Sequence, residues 1–247
     1  MNKSATPWFR RLARFAPLSP MEQRALEENA AATRHFATHD DLVKAGETAD
    51  RLFVMLEGFA CQYRLLADGR RQIVSFLFAG DMTDPRQLEL PQVDFSLCVL
   101  WPSVVATINA ESLRRLESHA NLRTAFARYA HTQQLIAREW LINVGQRTAF
   151  ERVGHLLCEI YTRLDAVGVT RDHSFELPLT QAELGDTLAL SAVHVNRTLM
   201  ELRRLGLVTF QNRLVRIHDF ARLRAAAGFD AGYLQRGEIA TGVALSA

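Results

Sequence analysis

Gly58, Gly69 and Gly80 lie eleven residues apart, and each falls in a turn-forming segment that follows an apolar run. The runs are Leu52–Leu56, Cys61–Leu66, Ile73–Phe78, Phe95–Leu100 and Val104–Ile108. Between them stand Glu57-Gly58, Ala67-Asp68-Gly69-Arg70, Ala79-Gly80-Asp81 and Trp101-Pro102-Ser103, with Ala45-Gly46-Glu47 ahead of the first. Runs this short cannot be long helices, and their regular spacing predicts an all-β sandwich or barrel from about His35 to Ile108. Asp68-Gly69 between two apolar runs predicts a tight hairpin.

The texture on either side is helical. Ser19 is a candidate N-cap with Pro20 at the first helical position, which predicts a helix over Pro20–Thr33. After Asn109 the turn residues almost vanish, and Leu122–Asn143 reads as one long helix. Leu122, Ala125, Tyr129, Thr132, Ile136, Trp140 and Asn143 follow a three–four repeat, the pattern of a dimer seam. The alternative is a helix lying on its own domain. A bend near Gly145 and a further helix, Gln146–Leu164, follow. A polar link, Val167–His173, leads to a second module from about Phe175 to Leu223. The chain therefore divides into residues 1–120, 121–145 and 146–247. The tail from Ala225 to Ala247 either docks Phe229 and Tyr233 near the wing or is partly disordered.

Thr180–Leu205 carries the most information. Thr180 with Glu183 forms a capping box, so a helix starts there. Leu184 and Leu188 give it an apolar face, Ala189-Leu190 a turn, and Ser191 a cap for a second helix. Val195, Leu199 and Leu202 would face inward from that helix, and Gly185 is small where the two helices cross. This is a helix-turn-helix. Leu207–Phe210 and Arg213–Ile217, joined by Gln211-Asn212, add a β-hairpin wing.

Charge is focused on the same module. The 247 residues carry a formal charge of only +2, yet Ser191–Arg224 holds seven arginines against Glu201 and Asp219. The remainder is therefore net negative, and the arginine excess is the electrostatic footprint of a DNA-binding face. Arg197, Asn196, His194, Val193 and Ala192 are the candidate base-reading residues. Arg pairs bidentately with guanine, Asn with adenine, and Val can touch a thymine methyl. Thr180, Gln181, Ser191, Arg203 and Arg213 are candidate phosphate contacts.

Other classes are poorly served. Cys61, Cys98 and Cys158 are scattered, which fits neither a disulfide framework nor a zinc site and suits a reducing compartment. No stretch approaches the roughly 20 apolar residues of a membrane helix, and Met1–Pro20 lacks the apolar core of a leader, so a soluble cytoplasmic protein is expected. A metal enzyme on a cupin-like barrel needs His-x-His on adjacent strands, and Leu52–Ile108 has no histidine. No GxSxG, GxxxxGK[ST] or HExxH occurs, so no enzymatic activity is expected.

A glycine-punctuated β-domain, one long helix and a winged helix-turn-helix together resemble the Crp–Fnr family of bacterial transcription regulators. The resemblance runs from about Phe15 to Leu223. Its carriers are Ala45-Gly46-Glu47, Leu52–Gly58, Asp68-Gly69-Arg70, Phe78-Ala79-Gly80-Asp81, Leu179–Leu184 and Ser191–Leu199. It implies an α+β fold: an N-terminal jelly-roll-like β-roll of the cyclic-nucleotide-binding type as sensor, a dimerisation helix and a C-terminal winged helix-turn-helix. It also implies a homodimer on a two-fold operator in double-stranded DNA, RNA polymerase as partner, and an effector that sets DNA affinity. Arg197 matches the family's guanine-reading arginine. Val193 stands where relatives often place a cytosine-reading Glu, so a different half-site is expected.

The sensor departs from the family's cyclic-nucleotide pattern. Asp84 and Pro85 stand where a Gly-Glu turn would hold the ribose, and Phe95-Ser96 stands where an Arg-Ser pair would hold the phosphate. An anion needs donors and a positive partner. No cyclic AMP binding by the family mode is expected, Arg86 being the one nearby cation. Residues 1–60 contain no cysteine, so no iron–sulfur cluster of the family's oxygen-sensing kind is expected. His35 and His39 precede the strands and suggest no haem ligand. An unknown ligand, a thiol switch at Cys61, Cys98 or Cys158, and control by protein level alone stay open.

Overall fold

The computed structural model describes residues 6–30 and 32–235. Two helices open it, α1 (Thr6–Ala13) and α2 (Pro20–Asn29). Ser19 caps α2 through a full capping box with Glu22, and α2 ends four residues short of the predicted Thr33. Five strands follow among the described residues: β1 (Thr33–Phe36), β2 (Asp41–Val43), β3 (Arg51–Leu65), β4 (Arg71–Phe78) and β5 (Ser96–Asn109). Their sheet is antiparallel in the order β1-β5-β3-β4, with β2 also on β5.

Two predicted turns do not reverse the chain. Glu57-Gly58 and Trp101-Pro102-Ser103 lie opposite one another inside β3 and β5, where the ladder shifts register instead of ending. Pro102 has no N–H to give, and the Ser103 hydroxyl accepts from Phe59 N at 3.1 Å in the broken stretch. Gly58 sits at φ +93°, and a Cβ there would lie 2.1 Å from Ser103 Oγ. Bulges of this kind bend the strands, which lets a sheet curl into a roll. Asp68-Gly69 does form the β3–β4 turn, closed by Leu66 N to Arg70 O at 2.8 Å.

The two faces of the sheet bury different sets. Leu52, Val54, Leu56, Ala106 and Ile108 pack on the helices, while Phe53, Met55, Leu77, Leu97 and Val105 fill the roll with Val43 and Val93. The helical side includes α1, α2 and the short α3 (Ala110–Glu117).

The long helix α4 (Ala120–Gln146) corrects one expectation. Leu122, Ala125, Tyr129, Thr132, Ile136, Trp140 and Asn143, predicted as a dimer seam, are all buried within their own chain. They pack against α1, the β-domain and α5, so they cannot meet a second copy. Tyr129 shows why: its hydroxyl donates to Met82 O at 2.9 Å and accepts from Met82 N at 3.0 Å. The stripe that points outward is Ala127, Ala137 and Leu141, with Gln134 and Val144 half-buried; Ala130 is buried with the other set. Leu141 is 71% and Ile142 48% exposed.

After a two-residue joint, Arg147-Thr148, comes α5 (Ala149–Asp165), begun by a capping box of Thr148 with Glu151. Then come β6 (Ser174–Glu176), α6 (Gln181–Leu188), α7 (Ala192–Arg204), β7 (Val208–Gln211), β8 (Leu214–Ile217), α8 (Phe220–Ala226) and α9 (Gly232–Gln235). Strands β6, β8 and β7 form a second antiparallel sheet. Phe229 and Tyr233 dock on α5, around His155, and not on the wing. Met1–Ala5 and the tail beyond Gln235 lie outside the described residues. No described helix is long and apolar enough to cross a membrane.

Candidate nucleic-acid interface

Local chemistry builds the reading head. Thr180 Oγ accepts from Glu183 N at 3.1 Å and donates to Glu183 Oε2 at 2.9 Å, so α6 starts at Gln181. Because that hydroxyl is committed to the cap, the first-turn N–H groups are what this end offers an anion. Ala189 ends α6 in the left-handed region at φ 54°. Ser191 then caps α7, accepting from His194 N at 3.2 Å. A Cβ on Gly185 would lie 2.5 Å from Leu190 O, so only glycine lets the turn fold back this tightly. Val195 and Leu202 anchor α7 to the core, and Leu199 packs beside them.

This anchoring leaves one face free. Ala192, Val193, His194, Asn196 and Arg197 are all exposed, and Val193 is 69% exposed. Val193 is informative only in company, because it shares its exposed turn with His194, Asn196 and Arg197. Gln181, Ser191 and Arg203 are exposed as well. The predicted base and phosphate contacts on α6 and α7 thus reach solvent together.

Arg213 is placed differently. With Asn212 it forms the two-residue turn between β7 and β8, at φ 49° and 64°. Such a turn wants Asn-Gly, and a non-glycine in its second place is strained. The guanidinium lies over the Trp101 ring of β5, 4.8 Å from its centroid. The predicted phosphate contact is therefore engaged by the chain's own β-roll. The sequence offered no warning, because Trp101 and Arg213 are far apart along the chain.

Other ties join the reading head to the roll. Arg71 of β4 pairs with Asp186 of α6 at 2.8 Å, and Gln72 Nε2 donates to Thr187 O at 3.3 Å. Deeper in, Arg163 of α5 pairs with Asp81 at 2.9 Å and Glu159 at 3.3 Å, and Arg11 of α1 pairs with Asp81 at 3.0 Å. Arg163 also lies over the Phe78 ring at 4.7 Å. Sequence reading missed this chain of charges entirely.

In the roll, the positions that would meet a nucleotide bond to their own surroundings. Asp84 accepts from Arg86 N at 2.9 Å and pairs with its guanidinium at 2.5 Å. Phe95 packs against the apolar filling of the roll. Ser96 Oγ accepts from Ala45 N at 3.1 Å. Arg86 lines a cleft of about 320 Å³ with Phe126, Ala127, His131 and Gln134, outside that filling. Cys61 and Cys98 oppose each other across β3 and β5. Burial pushes the Cys98 thiol up to about 11 and Cys158 to about 12, with Cys61 raised further.

Two family models match the chain: a cyclic nucleotide-binding domain over residues 33–119 and a Crp-like helix-turn-helix domain over residues 151–226. The chain belongs to the Crp–Fnr family of transcription regulators. Among Crp–Fnr relatives, it is 29% identical over 220 residues to the transcriptional activatory protein AadR of Rhodopseudomonas palustris, covering 88% of this chain and 90% of that one. It is 28% identical over 215 residues to the transcriptional activator protein FnrL of Cereibacter sphaeroides, covering 85% and 86%. The fold matches that of FixK2 from Bradyrhizobium japonicum with a TM-score of 0.70, at 23% identity, over 79% of this chain and 96% of that one. This Crp–Fnr chain is thus a transcription regulator with a DNA-binding helix-turn-helix, in a family of regulators and not of enzymes.

Proposed function

We propose that the chain acts in the cytoplasm as a homodimer on a two-fold operator, with α7 of each copy in a major groove and RNA polymerase as the downstream partner. The observation that carries this reading is the joint exposure of Val193, His194, Asn196 and Arg197 on the N-terminal half of a helix anchored by Val195 and Leu202. Arg197 would read guanine, Asn196 and His194 neighbouring base edges, and Val193 a thymine methyl, with Ala192 allowing close approach. Gln181, Ser191 and Arg203 would hold phosphates, with Thr180 contributing only as the cap that frees the first-turn N–H groups of α6, and Arg213 would join them if it leaves Trp101.

The dimer would form along the outward stripe of α4: Ala127, Gln134, Ala137, Leu141 and Val144. Their three–four spacing is that of a coiled-coil seam, the alanines allow close approach, and Leu141 is costly to leave bare. Two copies would then present reading helices about 34 Å apart.

For the effector, the apolar filling of the roll and the self-bonded Asp84 and Ser96 favour no cyclic AMP by the family mode. An unidentified ligand, or regulation without one, fits this better. Thiol control has one point in its favour, the Cys61–Cys98 pairing, against burial that keeps both as thiols. No iron–sulfur cluster or other cofactor is proposed.

The test is selection of bound duplexes from a random DNA pool, followed by affinity measurement on the selected sequence. Arg197→Ala should weaken it by roughly 1–3 kcal/mol and flatten preference at one base pair per half-site. Unchanged affinity and preference would remove Arg197 from the reading face. Binding should also fall steeply with salt.

A further inference from the structure

The helix-turn-helix family match ends at residue 226, yet the chain continues into a buried element. Ala227, Phe229 and Leu234 are all buried. The Phe229 and Tyr233 rings flank His155 of α5 at 5.0 and 6.0 Å. Gly154 makes room for this segment, since a Cβ there would meet Ala227 Cβ at 2.9 Å. Residues 227–235 therefore fill the wedge between α4 and α5.

What they touch there is the node of the molecule. Tyr233 donates its hydroxyl to Glu159 Oε2 at 2.7 Å. The same fully buried carboxylate accepts from Trp140 Nε1 of α4 at 3.0 Å and pairs with Arg163, which reaches Asp81 in the β-domain. Glu159 thus joins the long helix, the DNA-binding module, the sensor and the terminal segment. Between α4 and α5 the backbone offers only Arg147-Thr148, both extended. A two-residue joint does not fix the angle between two helices, so that angle depends on the side chains packed across it.

We propose that residues 227–235 are a strap that sets the angle of the reading head on the long helix, and that Tyr233 is a positioning residue for operator spacing. This rests on the two-headed dimer reading. In a dimer the two copies of α7 must match half-sites one helical turn apart, so an error in head angle is felt only when both heads bind at once. A single half-site tolerates it.

The experiment uses the full chain and its Tyr233→Phe variant, with a duplex selected for the wild type. Affinity is measured for that duplex, for versions with one or two base pairs inserted between the half-sites, and for a version with one half-site scrambled. The expected result is a roughly tenfold loss for Tyr233→Phe on the selected duplex, because heads released from one fixed angle must be ordered again to meet both half-sites. Affinity for the single half-site stays the same, and the inserted spacings are penalised less than in the wild type. A chain ending at Gly228 should show the same pattern more strongly. Equal losses on both duplexes would mean a merely structural role and overturn the proposal, as would no loss at all. A wild type indifferent to the second half-site would overturn the dimer reading first, and the strap with it.

Discussion

Phe95 and Asp84 occupy the places where the family resemblance would put a cation and a backbone-lined turn, and neither is idle. Phe95 adds its ring to an apolar interior already filled by Phe53, Leu97 and Val93. Asp84 caps the short turn Pro85–Glu89, and its pairing with Arg86 holds its carboxyl below the usual carboxylate range despite half burial. A cyclic phosphate brought to Asp84 would meet a carboxylate already paired with Arg86, and at Phe95 it would meet a ring with no donor, so at neither place is its desolvation compensated. Cyclic AMP titrated into the protein should therefore give no saturable heat by calorimetry, and micromolar binding would refute this account of the roll. These two residues were legible in the sequence because a motif's absence is local. The strained Asn212-Arg213 turn was not, because the sequence shows a turn between two runs but not the φ that a particular arginine must adopt.

Among the elements, α4 best shows what periodicity can and cannot say. Two interleaved stripes run along it. The one that begins at Leu122 has the larger side chains, and its residues are buried by their own chain; the one through Ala127, Ala137 and Leu141 faces out. A heptad pattern reports that a face is apolar, not which neighbour covers it, and here the fold's own α1, α5 and β-domain cover the stronger stripe. The helix-turn-helix was legible for the opposite reason. A capping box, a second N-cap, a small residue at the crossing and anchors at three–four spacing are all set within about 25 residues. The roll lies between these cases, since its hairpin was plain but the paired bulges at Gly58 and Pro102 arise only when β3 and β5 meet. The two stripes of α4 predict different failures. Leu141→Glu should leave the fold intact and weaken self-association by roughly 2–4 kcal/mol, from lost burial and like charges facing across the seam. Ile136→Glu should instead lower the melting temperature. Sedimentation beside thermal unfolding separates them, and a Leu141→Glu chain that still associates like the wild type would place the seam elsewhere.

Across the whole molecule, charges far apart in sequence hold the parts in one arrangement. Arg11, Asp81, Glu159 and Arg163 come from α1, the roll and α5, and no local pattern could have announced them. Beside this network His155 is buried, its Nε2 without a hydrogen bond. That atom lies 3.3 Å from Glu139 Oε1, but the same oxygen is held by Arg147 at 2.5 Å. Burial, helped by the Arg147 charge, lowers the His155 pKa from 6.5 to about 3. In the unfolded chain the imidazole takes up a proton near its ordinary pKa, whereas in the fold it does so only near 3. Between those values the unfolded state binds more protons, so stability falls as the pH drops, by up to roughly 1.4 kcal/mol per pH unit. The clean window is pH 6.5 to 5, above the range where most carboxylates titrate. His155→Phe keeps the aromatic contacts with Phe229 and Tyr233 and removes the titrating group. Denaturant midpoints at pH 7, 6 and 5 should decline more steeply for the wild type than for the variant, since the remaining histidines contribute equally to both. Parallel declines would show that His155 is not what makes the junction of α4, α5 and the strap sensitive to acid.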